Sequence, residues 1–271
     1  MTRDTDGAVA APQHGRSVRI AAQITPQHTT YALLRDAARR VEDAGADMLF
    51  NWDHFHPLSG DPDGAHFECW TTLAAWAEQT ERIQLGPLVS AVGYRNPDLL
   101  ADMARTVDHI SGGRLILGLG AGFKEREHLE YGYPFPPPGE RLNQLSDALT
   151  RIRQRLNQLD PRPTAPIPLL VGAGGERKAL RIVAEHANIW NTFAEGAAFS
   201  RKSRVLDQHC ARVGRDPSQI ERSALVGGDP DAIGTPLLAA GATLFIVLVN
   251  APYDLATLRS WLIWRDRMTP R

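Results

Sequence analysis

A (β/α)8 TIM barrel with an insertion after its fourth strand follows from three features of the 271 residues. Eight short apolar segments lie between Val18 and Val249, and helical periodicity separates them. The stretch Glu81 to Phe123 holds two complete strand-and-helix steps in direct succession. Several strands end in glycine-rich or chemically dense loops, as barrel enzymes require at the C-terminal rim. Parallel strands need crossovers, and right-handed crossovers repeated eight times close a barrel.

Val18 to Ile24 is the first strand, stopped by Thr25-Pro26. Thr30 to Ala44 is a helix with Tyr31, Leu34, Ala38 and Val41 on one face, closed by Gly45. Asp47 to Asn51 is the second strand and runs into Trp52-Asp53-His54-Phe55-His56-Pro57. Phe67 to Thr80 is a helix carrying Trp70, Leu73, Ala74 and Ala77. Arg82 to Leu85 alternates and reaches Gly86-Pro87, a strand entering a loop. Asn96 caps the next helix, with Pro97 at its first position. Leu99, Leu100, Met103, Ala104, Val107 and Ile110 read as its single apolar face, and Ser111-Gly112-Gly113 ends it. Leu115-Ile116-Leu117 is a strand buried on both sides, followed by the glycine loop Gly118 to Gly122.

Phe123 to Pro166 breaks the rhythm with KEREHLE, then YGYPFPPPGE, then a helix from Arg141 to Leu159. Such an insertion reads as a lid or binding loop. Its stripe Leu142, Leu145, Leu149, Ile152 and Leu156 reads as core packing. Ile167 to Val171 is the fifth strand, Gly172 to Gly175 its loop and Glu176 to His186 a helix. Ala187 to Asn191, Arg222 to Val226 and Ala242 to Val249 complete the strands. Helices span Phe199 to Val213 and Leu255 to Met268. Gly234 and Pro236 are poor helix formers, so the crossover before the last strand is expected to be short and the barrel distorted there.

Composition is that of a globular protein, 43% hydrophobic and 23% charged. The near-neutral balance gives no footprint for nucleic acid or an anionic membrane. Only Lys124, Lys178 and Lys202 are lysines among 30 cations, which reads as genome composition. Cys69 and Cys210 make no disulfide framework, so a reduced, cytoplasmic setting is expected. No apolar run approaches the roughly 20 residues of a spanning helix. Residues 1–17 read as a disordered extension without a signal-peptide core, and 18–271 as one barrel domain.

The motifs carry a resemblance. YRNP, then a helix, then SGGRLILGLGAGF is similar to the luciferase-like monooxygenase superfamily, in its F420-dependent oxidoreductase branch. Asp53-His54-Phe55, PFPPPGER and LLVGAGGERKALRIVAEHANIWN fall in that family's order, so the resemblance covers roughly residues 18 to 250. It implies coenzyme F420, with FMN as the alternative, and a small-molecule substrate.

His54 follows the second strand, where a histidine can give or take a proton near neutral pH. The other reading is a hydrogen-bonded rim histidine; the resemblance places His54 against the deazaflavin ring and Asp53 near its headgroup. It also places Leu88, Val89 and Ala91, at the end of LGPLVSA, at a non-prolyl cis peptide beneath the ring. Gly120 and Gly122 belong to a GxGxG that lacks the context of a dinucleotide fingerprint, yet suits close approach of backbone to a ring. Gly174-Gly175-Glu176-Arg177-Lys178 opens a helix and reads as an anion site, against a plain loop with solvated charges. The resemblance puts the cofactor phosphate at Gly174, Gly175, Arg177 and Lys178. Arg126 and Arg181 are further cations that suit an anionic tail. Relatives acting on sugar phosphates carry a catalytic glutamate where this chain has Phe123, which argues against that substrate class. His54, His56, His66 and Glu68 match no metal-site spacing, so no metal is expected. A hydrolase triad lacks its G-x-S-x-G. The resemblance makes an F420-dependent hydride-transfer enzyme the leading expectation, with a homodimer as its expected assembly. An FMN-dependent monooxygenase and a non-catalytic flavin- or deazaflavin-binding relative stand as alternatives.

Overall fold

A computed structural model describes residues 16–193 and 195–268. In chain order the elements are β1 (Arg19–Ile24), α1 (Tyr31–Asp43), β2 (Met48–Asn51), α2 (Cys69–Gln79), β3 (Gln84–Pro87) and β4 (Ser90–Ala91). Then come α3 (Pro97–Ile110), β5 (Leu117–Gly120), α4 (Glu125–Glu130), α5 (Pro138–Leu156), β6 (Leu169–Gly172) and α6 (Ala179–His186). The chain finishes with β7 (Ile189–Thr192), α7 (Gly196–Arg212), β8 (Glu221–Val226), α8 (Pro230–Ala239), β9 (Ala242–Val249) and α9 (Ala256–Met268). Residues 1–15 of the expected disordered extension lie outside the described residues. Arg16 is docked, its guanidinium donating to the Ser218 carbonyl at 2.9 Å.

All strand pairs are parallel, in the order β3-β2-β1-β9-β8-β7-β6-β5-β4. Two of the nine segments are halves of one barrel strand: β3 stops at Pro87, and β4 resumes at Ser90 beyond Leu88 and Val89. Closure runs through a parallel bridge between Leu85 and Leu115, with Ile116 N–H donating to Leu85 O at 2.8 Å. The barrel therefore has the eight strand positions expected.

Its interior is filled by Ala21, Met48, Phe50, Leu88, Ile116, Leu170, Ile189, Leu244 and Ile246. These point inward from alternate positions, while their neighbours face the helices. The outer layer is built as an amphipathic pattern requires. Asn96 accepts from Asp98 N–H as the N-cap of α3, and Thr30 does the same for Leu33 in α1.

Two sequence readings need correction. Helix α3 buries Leu100, Ala101, Ala104 and Val107, whereas Leu99 and Ile110 are exposed. The helix is rotated because α5 and α2 both pack on it, so its buried face is centred on the alanines. Gly118 to Gly120 is strand rather than loop. A Cβ on Gly118 would overlap the Pro87 carbonyl, so only glycine lets β5 pass this close to β3. The crossover before β9 is the short helix expected, α8, ten residues with Pro236 in its interior. Gly234 is what packs it: a Cβ there would meet Trp264 and Trp261 at 2.8 and 2.9 Å. The distortion expected there falls on the sheet, as a register shift at Arg222/Ser223 between β8 and β9.

Gly118→Ala is expected to destabilise the fold by more than about 2 kcal/mol, because the obstacle is backbone and cannot swing away. Gly139→Ala, where a Cβ meets nothing within 4 Å, is expected to leave stability unchanged or raise it by up to about 1 kcal/mol. Urea melts of both variants check the contrast, and equal midpoints would contradict it.

Candidate functional site

The C-terminal ends of the strands gather buried titratable side chains. At the end of β2, Asn51 is buried: its side chain donates to Cys69 O at 3.1 Å and its carbonyl accepts from Leu88 N–H at 2.7 Å. It thereby ties β2 to the break between β3 and β4. Two residues on, Asp53 is 1% exposed and receives both arms of the Arg95 guanidinium, at 2.5 and 3.1 Å. Burial pushes the Asp53 carboxyl up, and the Arg95 charge pulls against that rise. Arg95 also reaches Glu68 at 2.9 Å, and Glu68 caps α2. The Asp53–Arg95 fork so anchors the loop to α2 and to the turn before α3. Arg95 stands inside the YRNP motif, but its partner was not legible without the fold.

His54 sits above this anchor, 9% exposed. Its Nδ1 lies 2.7 Å from Oε2 of Glu127, which is itself 2% exposed. Glu127 comes from α4 in the insertion and accepts from three further donors. Tyr94 O–H reaches Oε2 at 2.6 Å; Phe55 and His56 N–H reach Oε1 at 2.8 and 3.2 Å. Burial opposes charge on Glu127, but the bonds from His54, Tyr94 and Phe55 outweigh it and hold the carboxyl at about 2. Burial, with Glu127 beside it, pushes the Tyr94 phenol far up, so it remains a donor. Sequence reasoning missed Glu127 and Tyr94. The available signal for Glu127 was no more than one of three acids in a charged segment.

Two more contacts zip α4 to the loop after β2. His56 meets Glu130 at 2.6 Å, and Arg126 meets Asp63 and Glu130 at 2.6 and 2.7 Å. Arg126 is thus occupied by two carboxylates, and Arg181 pairs with Glu185 at 2.8 Å. Neither stands ready for an anion. On the other side of His54, Trp52 donates to His66 at 3.0 Å. Burial lowers His66 to about 4, which keeps it a neutral acceptor. The Phe123 ring meets the His54 ring edge-on at 5.3 Å between centroids and is 62% exposed. Phe55 stacks on Tyr131 at 4.2 Å, so aromatic rings wall the mouth.

The floor is the Leu88-Val89 peptide, which is cis. Gln23 donates to the Leu88 carbonyl at 2.9 Å. The Val89 side chain lies where glycines give it room: a Cβ on Gly120 would meet it at 2.7 Å, and one on Gly172 or Gly118 at 3.3 Å. Gly120 so accommodates Val89 directly. Gly122, at φ +75°, lies against Ala91 and His128. Leu88, Val89, Ala91, Gly120 and Gly122 are brought together beside the mouth.

Gly174, Gly175, Arg177 and Lys178 form a separate cluster between β6 and α6. A Cβ on Gly174 would meet nothing within 4 Å, so the loop is open. Arg177 is exposed and has no polar partner among the described residues. Lys178 is turned to Gly139 O, at 2.6 Å, and to Asn143. Lys202 of α7 donates to Gly174 O, which adds a cation that loop spacing could not reveal.

The family model of luciferase-like monooxygenases matches residues 13–227. An uncharacterized protein of Mycobacterium tuberculosis is 29% identical over 212 residues, 66% of this chain and 74% of that protein. An F420-dependent glucose-6-phosphate dehydrogenase of Intrasporangium calvum is 34% identical over 161 residues, 52% of this chain and 48% of that enzyme. In fold, the chain matches an F420-dependent secondary alcohol dehydrogenase in complex with an F420-acetone adduct at TM-score 0.79 and 16% identity. That match covers 94% of this chain and 100% of that one. Coenzyme F420-dependent tetrahydromethanopterin reductase from Methanopyrus kandleri matches at 0.71 and 18%, covering 91% and 97%.

The depressed Glu127 carboxyl has a consequence for stability. Its folded value of about 2 lies below the ordinary 4.5, so the stabilisation it brings is complete above about pH 4.5 and is lost as pH falls toward 2. The stability gap between the native protein and Glu127→Gln is expected to narrow by on the order of 2 kcal/mol across that window. A gap that is flat with pH in urea melts contradicts the network.

Proposed function

We propose, for a chain that belongs to the luciferase-like monooxygenase family, that it is an F420-dependent oxidoreductase acting on a small organic substrate. The observation that supports this most is the open glycine loop at Gly174-Gly175, with Arg177 and Lys178, on the rim that also holds His54. An anionic cofactor tail fits a cradle of bare backbone beside cations. Relatives and structural neighbours named for F420 support the deazaflavin over FMN.

Gly174, Gly175, Arg177 and Lys178 would hold the phosphate, with Leu88, Val89 and Ala91 beneath the ring and Gly120 and Gly122 beside them. Asp53 would act through the loop it anchors, since its carboxylate is spent on Arg95. The deazaflavin, when bound, supplies a hydride donor or acceptor at its C5. His54 gives or takes the accompanying proton at Nε2, the ring nitrogen not facing Glu127. Trp52 and Phe123 pack edge-on against its ring, and the Phe55–Tyr131 stack continues that aromatic wall. With Phe123 over His54, the mouth offers an apolar ring where an acid would serve a sugar, so activated enones and nitro compounds are the first substrates to screen.

Fluorescence titration with F420 and FMN tests the assignment: tighter F420 binding is expected, and equal or stronger FMN binding would overturn it. Gly175→Asp is expected to abolish F420 binding while the fold survives. The new Cβ meets only Ala179, at 3.6 Å, but the carboxylate repels the phosphate. Normal binding by a folded variant puts the anion elsewhere.

A further inference from the structure

We infer that Glu127 is a positioning residue that fixes His54 as its Nδ1–H tautomer and leaves Nε2 as the ring's only acceptor. The inference rests on the reading of His54 as the proton-handling group, and its test is independent of that reading.

The donors and acceptors around Glu127 decide the tautomer. Oε1 of Glu127 is committed to two backbone N–H groups, Phe55 and His56, which can only donate. Oε2 faces Tyr94 O–H and His54 Nδ1, at 2.6 and 2.7 Å. An ionised carboxylate only accepts, so Nδ1 must carry the hydrogen. A neutral imidazole has one N–H, so Nε2 is left bare. No described residue bonds Nε2, and the His54 side chain keeps 11% of its surface exposed. Because Glu127 comes from α4, the tautomer depends on the docking of the insertion onto the loop after β2.

A purely structural role would have Glu127 merely staple α4 to the Phe55 and His56 backbone. Glu127→Gln separates the two roles. Its amide oxygen must remain on the backbone N–H groups, so the staple is preserved. The amide NH2 is then forced toward His54 and Tyr94. It donates, Nδ1 must accept, and the proton moves to Nε2. Tyr94→Phe removes only the second donor and leaves the carboxylate on Nδ1.

The experiment is 15N-histidine NMR of the full chain without cofactor, at a pH where imidazole is neutral. Of the nine histidines, His54 is assigned by the signal lost in His54→Asn. Expected are Nδ1–H in the native protein and in Tyr94→Phe, and Nε2–H in Glu127→Gln. A native protein with Nε2–H, or a folded Glu127→Gln that keeps Nδ1–H, overturns the inference. Should Glu127→Gln not fold, the native and Tyr94→Phe spectra still decide. With a working substrate, the inverted tautomer is expected to lower kcat about 10²–10⁴-fold, as in other carboxylate–histidine pairs. Inversion without that loss would sustain the tautomer assignment and contradict the role given to His54.

Discussion

The mouth of this barrel depends on one buried carboxylate. Glu127 gathers four donors from two separate places: His54, Phe55 and His56 in the loop after β2, and Tyr94 in the turn before α3. A buried charge is tolerated only when its lone pairs are filled, and here they are. Removing it would leave two backbone N–H groups, a phenol and an imidazole without their acceptor at once. The same carboxylate fastens α4 to the loop that carries His54, together with the His56–Glu130 and Arg126–Asp63 contacts.

Beneath that network lies a constraint of space. β3 and β5 approach so closely that Gly86 and Gly118 admit no side chain, each facing a carbonyl of the other strand. The strand breaks after Pro87, and Val89 fills the room left by Gly118, Gly120 and Gly172. Gln23 and Asn51 bond the backbone across this break. Glycines that suggest a ligand when read as a string therefore serve strand packing first, and the ledge they allow forms the floor of the mouth.

The barrel was legible because each step was locally signalled: an apolar run, a cap such as Asn96, a stop such as Gly112-Gly113. Periodicity set helix boundaries within a few residues, but not the rotation of α3, which its neighbours decide. The place of His54 on the rim was legible, because it directly follows a strand. That of Glu127 was not, because one of three acids in KEREHLE does not stand apart from the exposed Glu125 and Glu130 until the chain folds back 73 residues to His54. Arg95 was hidden for the same reason: the partners of an ion pair distant in sequence leave no mark in either segment. Conversely, Arg126 and Arg181 looked available as cations, yet local carboxylates occupy both.

The central claim is that His54, held by Glu127, handles the proton while other groups hold the cofactor. His54→Asn keeps size and some hydrogen bonding but removes the titrating ring. The account predicts a fall in kcat of about 10²–10⁴-fold with the cofactor Kd changed only a few-fold. Turnover at the native rate would contradict it and assign the proton to solvent or to another group.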